Sequence, residues 1–323
     1  MQWQESISIA CSTILMSTCL QCTPVIAAQA PSPASQAGYT QNTFSANFTS
    51  SNVDIANSKD PGYSWYLWNL YGSHASPAAI GLNSDGSVTL AGDTVGPGGE
   101  LMTATAARNS AGFVGTAFGG GAYIEATFKF NPADVIRANN KYWPAFWSLA
   151  LEASVRPGAN QWPGQAHGFQ HQIEVDFFEY LLQGYGGPQN AYSSSMHDWY
   201  GIYKSTCPPG LCQVGFEFNE SKRLAPAGTD FTQYHTYGSL WVPATSAASG
   251  YIQFFFDGEP IGAVRKWSQY TDQPPTNPKQ QPWAFGVLDR QHLVLILGTG
   301  PQEPMTVQSV NVWQASASQN LHQ

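Results

Sequence analysis

The stretch HQIEVDFFEY, His171 to Tyr180, decides how the rest of the chain is read. Its Ile173, Val175, Phe177 and Phe178 are the β-branched and aromatic types that favour a strand. Alternate residues of a strand share a face, so Glu174 and Asp176 point one way while Val175 and Phe177 point into a core. Glu179 breaks this alternation, because regular pleating would put Phe178 on the carboxylate face. One extra residue, a β-bulge at Phe177-Phe178, restores Glu179 to the side of Glu174 and Asp176. Bulges commonly re-aim side chains beside active sites. The plainer reading is a solvated strand face that happens to be acidic, and the surrounding chain has to decide between the two.

Working outward, the pattern stays β. Gly121 to Phe130 alternates, with Ala122, Ile124, Ala126, Phe128 and Phe130 on one face and Tyr123, Glu125, Thr127 and Lys129 on the other. Asn131-Pro132-Ala133-Asp134 supplies a cap, a first-turn proline and a first-turn acid, predicting one short helix to about Ala138. Ser87–Leu90, Met102–Ala106, Tyr237–Val242, His292–Leu297 and Thr306–Trp313 are further strands. Tyr251–Phe256, then Asp257-Gly258, then a second apolar run reads as a hairpin. Many short strands punctuated by Gly and Pro indicate an all-β sandwich with one or two short helices. No internal repeat or second domain is legible, so residues 43–315 form one domain.

Of the 323 residues, 42% are hydrophobic, enough for a sizeable core. Only 11% are charged, against about 25% in ordinary globular chains. The net charge is -8 and no basic run offsets it. That balance argues against nucleic acid as a partner. The 11 Trp and 15 Tyr suit either a large aromatic core or a surface that stacks on sugar rings.

Residues 1–30 read as a secretory signal. Ile7 to Leu20 is uncharged, mostly apolar and too short to span a bilayer comfortably. Ala28-Gln29-Ala30 offers a small-residue cleavage site, although Glu5 and the lack of Lys or Arg make the n-region atypical. No other stretch suits a membrane helix, so the expectation is a secreted, monomeric protein, extracellular or periplasmic. Cleavage would remove Cys11, Cys19 and Cys22. Cys207 and Cys212 in CPPGLC would remain, expected to bridge in an oxidising compartment. Residues 31–42 read as a linker and 316–323 as a frayed tail. His167 and His171 could suggest a metal, but a loop leading into a strand accounts for them, and no zinc-ligand spacing is present.

Several separated stretches together resemble glycoside hydrolase family 16. Glu174-x-Asp176-x-x-Glu179 resembles its active-site signature in the bulged form. Phe118-Gly119 with Ala122-Tyr123-Ile124-Glu125-Ala126 resembles its FG-x-YIEAR strand, and Trp143-Pro144-Ala145-Phe146-Trp147 its WPAFW segment. Ser195-Met196-His197 resembles its histidine-bearing strand. His235 to Trp241 and Phe255-Phe256-Asp257-Gly258 resemble its H-x-Y-x-x-x-W and F-x-x-DG elements. Val310-Asn311-Val312-Trp313 resembles its closing strand, so the likeness runs from about Phe44 to Gln314 in the family's order. Thr127 departs from the family's arginine, and HLVLILGTG departs from its asparagine-containing final strand. These departures bear on the cleft and its substrate more than on the fold.

The resemblance implies a concanavalin A-like jelly roll of two curved antiparallel sheets with a cleft across the concave face. It implies a retaining endo-β-glycanase acting on a polysaccharide, most simply β-1,3- or mixed β-1,3/1,4-glucan. By motif position Glu174 is the nucleophile, Glu179 the general acid/base and Asp176 the assisting carboxylate. Retention needs the two working carboxyls about 5–5.5 Å apart, whereas backbone rise alone separates them by more than about 10 Å. His197, Trp143, Trp147, Trp199 and Tyr200 are expected to bind substrate, and Trp241 and Trp313 to lie mainly in the core. No cofactor is required, and a structural calcium on the convex side is possible. The rival readings are an agarase- or carrageenase-like galactan hydrolase, a transglycosylase, and a lectin-like sandwich without catalysis.

Overall fold

The computed structural model describes residues 29–70, 74–91, 98–108, 112–137, 143–154, 169–180, 189–202, 214–219, 223–269, 284–298 and 305–322. Residues 1–28 of the segment expected as a signal (1–30), His167, and the Cys207 and Cys212 pair lie outside the described residues.

Two sheets form a sandwich of jelly-roll type. In the first, here the outer sheet, the order is Glu259–Trp267, Gly250–Phe256, His235–Val242, Ala122–Phe130, Met305–Gln314, Val88–Leu90 and Ile80–Leu82, with Gln41–Ala46 also paired to Met305–Gln314. The second, the cleft sheet, runs Val214–Asn219, Ala191–Ile202, Phe169–Glu179, Ala145–Ala150, Leu293–Gly298, Glu100–Met102, Trp65–Leu67 and Val53–Asp54. Pairing is antiparallel except between Val53–Asp54 and Trp65–Leu67. No described helix is long and apolar enough to cross a membrane.

The alternation in Ala122–Phe130 does what its pattern predicts. Ala122, Ile124, Ala126, Phe128 and Phe130 are buried between the sheets. Phe128 stacks on Tyr237 at 4.2 Å within the outer sheet and meets Phe178 of the cleft sheet at 5.0 Å. Phe178 in turn lies 4.4 Å from Tyr237 and 4.8 Å from Tyr192. Such offset and edge-on aromatic pairs add packing energy beyond simple burial. Asn131 caps the helix Pro132–Arg137, its Oδ1 accepting from the Ala133 N–H at 3.0 Å. Trp241 is buried in the main core.

Four expectations need correction. Residues 31–42 are not a linker, since Ser32–Gln36 is helical and Ala34 and Tyr39 are buried. They cover Tyr123, Leu240, Phe255 and Trp313, a second apolar cluster on the far side of the outer sheet. Trp313 is thus buried outside the main core. Tyr39 donates its hydroxyl to the Trp241 carbonyl at 3.1 Å. Gly121 makes room for it, because a Cβ there would stand 2.3 Å from the Tyr39 oxygen. A Pro- and Ser-rich composition hid one anchoring tyrosine.

In the expected tail 316–323, the described residues 316–322 are likewise not frayed. Ala317–Gln319 forms a 3-10 turn and Leu321–His322 pairs with Phe113–Ala117. Asn320 is buried, exchanging hydrogen bonds with Gln314 and accepting the Gly119 N–H. Two polar amides that satisfy each other inside give no apolar signal. Third, Met102–Ala106 is two strands, Glu100–Met102 in the cleft sheet and Ala104–Ala106 in a separate three-stranded sheet with Phe113–Ala117 and Leu321–His322. The chain changes sheets at buried Thr103, which holds Leu295 through backbone N–H and side-chain oxygen at 3.0 and 3.1 Å. The hairpin partner Glu259–Trp267 carries the expected apolar run, Pro260 to Val264, most of it exposed. The turn itself is as expected, with positive φ at Asp257 (49°) and Gly258 (81°). Finally, a third short helix, Leu151–Ser154, exceeds the one or two expected.

Candidate active site

The carboxylate strand spans Phe169–Glu179 in the middle of the cleft sheet. Against Ala191–Ile202, Asp176 pairs with Ser195 but Glu179 pairs with Ser193. Three steps on one strand meet two on the other, which is the bulge expected at Phe177-Phe178. Against Ala145–Ala150 the same slip appears, Phe146 facing Phe178 and Trp147 facing Asp176. Phe177 and Phe178 are consequently both buried, and Glu174, Asp176 and Glu179 line one cleft.

That cleft has a volume of about 270 Å³ and is lined by Glu100, Trp143, Ala145, Trp147, Glu174, Asp176, Glu179 and Gly298. Trp143 sits just before its strand, 46% exposed, and donates its indole N–H to Oε1 of Glu179 at 3.1 Å. Trp147 lines the floor, its ring 5.4 Å from that of Trp68. On the neighbouring strand, Trp199 donates its indole N–H to Oε2 of Glu174 at 3.0 Å. His197 stacks on Trp199, with ring centres 5.4 Å apart and planes 14° apart. Nε2 of His197 lies 3.0 Å from Oδ2 of Asp176, which also accepts from the Ser195 hydroxyl at 2.8 Å.

Burial is the main cause that pushes the Glu179 carboxyl up, to about 9. The negative charges of Asp176 and Glu174 add to it, while His197 and the Trp143 N–H oppose it. A carboxyl in this state is protonated at neutral pH and can give a proton away. Glu100 is also pushed up, to about 7, by burial.

The expected residues Glu174, Asp176, Glu179, His197, Trp143, Trp147 and Trp199 thus converge on one face. Tyr200 belongs to the same strand as Trp199, opposite His171 in register; its side chain lies outside the described residues. His171 is not in the cleft. It is fully buried, with Nε2 2.5 Å from Oδ1 of buried Asp198.

Sequence reading missed Glu100 and Trp68. Glu100 enters because its strand pairs with Leu293–Gly298, bringing it opposite Gly298. A Cβ on Gly298 would stand 3.1 Å from the Glu100 Cγ, so the glycine leaves room for the acid. The departure in HLVLILGTG held a partial signal, since a glycine ending an apolar strand suggests close approach by a neighbour. No signal marks Trp68.

Among the described residues, the one group of three ligand-type atoms close enough to share a cation is Glu174, Asp176 and His197, within 4.8 Å of one another. The hydrogen bonds just given engage all three, and we read the trio as a proton-handling network.

No family model and no curated protein matches this chain. Some solved structures align with it over most of their length. An alginate lyase from Chlorella virus is 11% identical, covering 85% of this chain and 100% of its own, with a TM-score of 0.37. Peanut lectin is 13% identical, covering 84% and 95%, with a TM-score of 0.35. A proposed glycosyl hydrolase from Parabacteroides distasonis is 9% identical, covering 84% and 91%, with a TM-score of 0.30. At these values the likeness carries no argument, and fold and function rest on the topology and the site.

Proposed function

We propose that this protein is a secreted retaining endo-β-glycanase of the glycoside hydrolase family 16 type, acting on a neutral β-1,3- or mixed β-1,3/1,4-glucan. The observation that carries the reading is the bulge at Phe177-Phe178, which sets Glu179 on the face of Glu174 and Asp176. Around it, the environment gives the carboxyls different tasks. Glu179, desolvated beside two acids, holds a proton. Glu174 receives an indole N–H, a bond that favours its charged form.

In the first step an oxygen of Glu174 attacks the anomeric carbon as the glycosidic C–O bond breaks. Glu179 passes its proton to the departing oxygen. In the second step Glu179, now a carboxylate, takes a proton from water as that water attacks the same carbon. The glycosyl ester breaks, Glu174 is released and Glu179 is protonated again. Asp176, held by His197 and Ser195, fixes a negative charge between the two and raises the affinity of Glu179 for its proton. Every proton and bond is accounted for by carboxyls and water, so the reading needs no cofactor.

The described lining carries Glu100, Glu174, Asp176 and Glu179 and no Lys or Arg. A sulfated or uronate chain would meet like charge there, which favours a neutral glycan over carrageenan or alginate. Trp143 and Trp147 offer ring faces for sugars. A transglycosylase would use the same residues with a sugar acceptor. A lectin would have no use for a carboxyl kept protonated beside two others.

The test is release of reducing ends from laminarin, lichenan, agarose, carrageenan and alginate. Turnover is expected on the first two. Glu174→Gln and Glu179→Gln should each lower it by orders of magnitude, and near-wild-type turnover in either variant would overturn the assignment.

A further inference from the structure

Two of the cleft tryptophans are placed in a way that plain sugar stacking does not require. Each of the separate carboxyls, Glu179 and Glu174, accepts one indole N–H, from Trp143 at 3.1 Å and from Trp199 at 3.0 Å. The two donors reach the cleft from different elements. Trp143 precedes Ala145–Ala150, and Trp199 lies in Ala191–Ile202 on the other side of the carboxylate strand. We propose that Trp143 and Trp199 are positioning residues with opposite assignments, Trp143 selecting the oxygen of Glu179 that carries the acid proton and Trp199 holding Glu174 in its attacking form. This rests on the proposed glycanase reading and specifies how its two carboxyls are kept distinct.

The chemistry follows from what an N–H can do. An indole donates and never accepts. A carboxyl oxygen that accepts it at 3.1 Å is a poor place for a proton, because the two hydrogens would face each other. When Glu179 is protonated, its proton therefore sits on Oε2 rather than Oε1. For a carboxylate, an accepted N–H favours the charged form, so Trp199 favours the ionised state that Glu174 needs for attack. His197 stacks flat on Trp199 and thereby ties that ring to Asp176, the acid it pairs with. Other ionisable groups around the pair are Asp176, His197 and Glu100, all on the same sheet. Glu217 stands opposite His197 in register.

The roles separate experimentally because only one carboxyl's task depends on the leaving group. Phe replaces each ring without the N–H. 3-Benzothienylalanine keeps the bicyclic shape and removes only the donor. Both are made at positions 143 and 199 and assayed on the glucan and on a 2,4-dinitrophenyl oligoglucoside, whose leaving group departs without an acid. At position 143 we expect the loss in kcat/KM to be at least tenfold larger on the glucan than on the aryl substrate. The alkaline limb should move up by roughly one pH unit, with the acid limb unmoved. At position 199 we expect equal losses on both substrates and an acid limb moved up by roughly one pH unit. Equal losses on both substrates at position 143, or unmoved limbs in the benzothienyl variants, would overturn the inference. Glu174→Gln and Glu179→Gln run alongside separate the two levels. If they retain activity, the glycanase reading falls; if they are inactive while the tryptophan variants behave alike, only this inference falls.

Discussion

Phe177 and Phe178 are consecutive in one strand, yet both point into the core, Phe177 4.6 Å from Phe146 and Phe178 5.0 Å from Phe128. Regular pleating forbids this, and the extra residue resolves it. The bulge is therefore held by aromatic packing on the far side of the sheet from the carboxylates.

Deleting Phe177 should restore simple alternation and, with Phe178 alone left between Asp176 and Glu179, keep Glu179 on the cleft face opposite Ser193. Glycanase activity should therefore stay well above that of Glu179→Gln. Phe178→Ala keeps the residue count but removes the filler, costing about 3–5 kcal/mol of stability. Urea unfolding of both variants, beside reducing-end assays, checks the pair of outcomes. A deletion variant as inactive as Glu179→Gln would refute this account of the register, in which Phe177 and Phe178 share the core face.

The raised carboxyls make stability fall with pH. Glu100 and Glu179 bind protons more tightly folded than unfolded. Their contribution is complete below about pH 4.5, the unfolded value, and is lost as pH rises through about 7 for Glu100 and about 9 for Glu179. Glu100→Gln should remove part of that decline, raising stability at pH 8 by roughly 1–3 kcal/mol relative to its effect at pH 4. Thermal unfolding of wild type and variant across pH 4 to 9 measures it, and parallel curves would contradict it.

Tyr39 anchors the N-terminal segment over Tyr123 and Trp313. Tyr39→Ala should lower stability by about 3 kcal/mol, at the low end for aromatic truncation. Tyr39→Phe, which loses only the hydroxyl's bond to the Trp241 carbonyl, should cost about 1 kcal/mol. Neither should change kcat on the glucan, because the segment covers the sheet face remote from the cleft.

His197→Ala removes one partner of nearly fully buried Asp176. The expected loss is about 1–3 kcal/mol in stability, with kcat reduced more than KM. His197→Gln, which can still donate, should recover part of both. A changed KM with an unchanged kcat would instead make His197 a substrate ligand.

The order of the chain carried much of this. The strand parity of Glu174 and Asp176 and the misfit of Glu179 located the bulge, because period two leaves a frame shift visible. The alternation of Ala122–Phe130 identified a core face for the same reason. Tyr39 and Asn320 were illegible because each is tied down by a distant partner, in segments whose composition is that of loose chain. Glu100 escaped because it reaches the cleft only through pairing with Leu293–Gly298. That register is set nearly 200 residues downstream and leaves no local periodicity.

The exposed ring of Trp143 has an optical consequence. Its N–H is shared with Glu179, so its emission should respond both to that carboxyl gaining a proton and to a sugar covering the ring. The chain has 11 tryptophans, but Trp65, Trp241 and Trp267 are fully buried. The difference spectrum between wild type and Trp143→Phe would isolate the cleft signal. The protein thus carries an intrinsic fluorophore whose pH titration reads the acid directly, without substrate turnover.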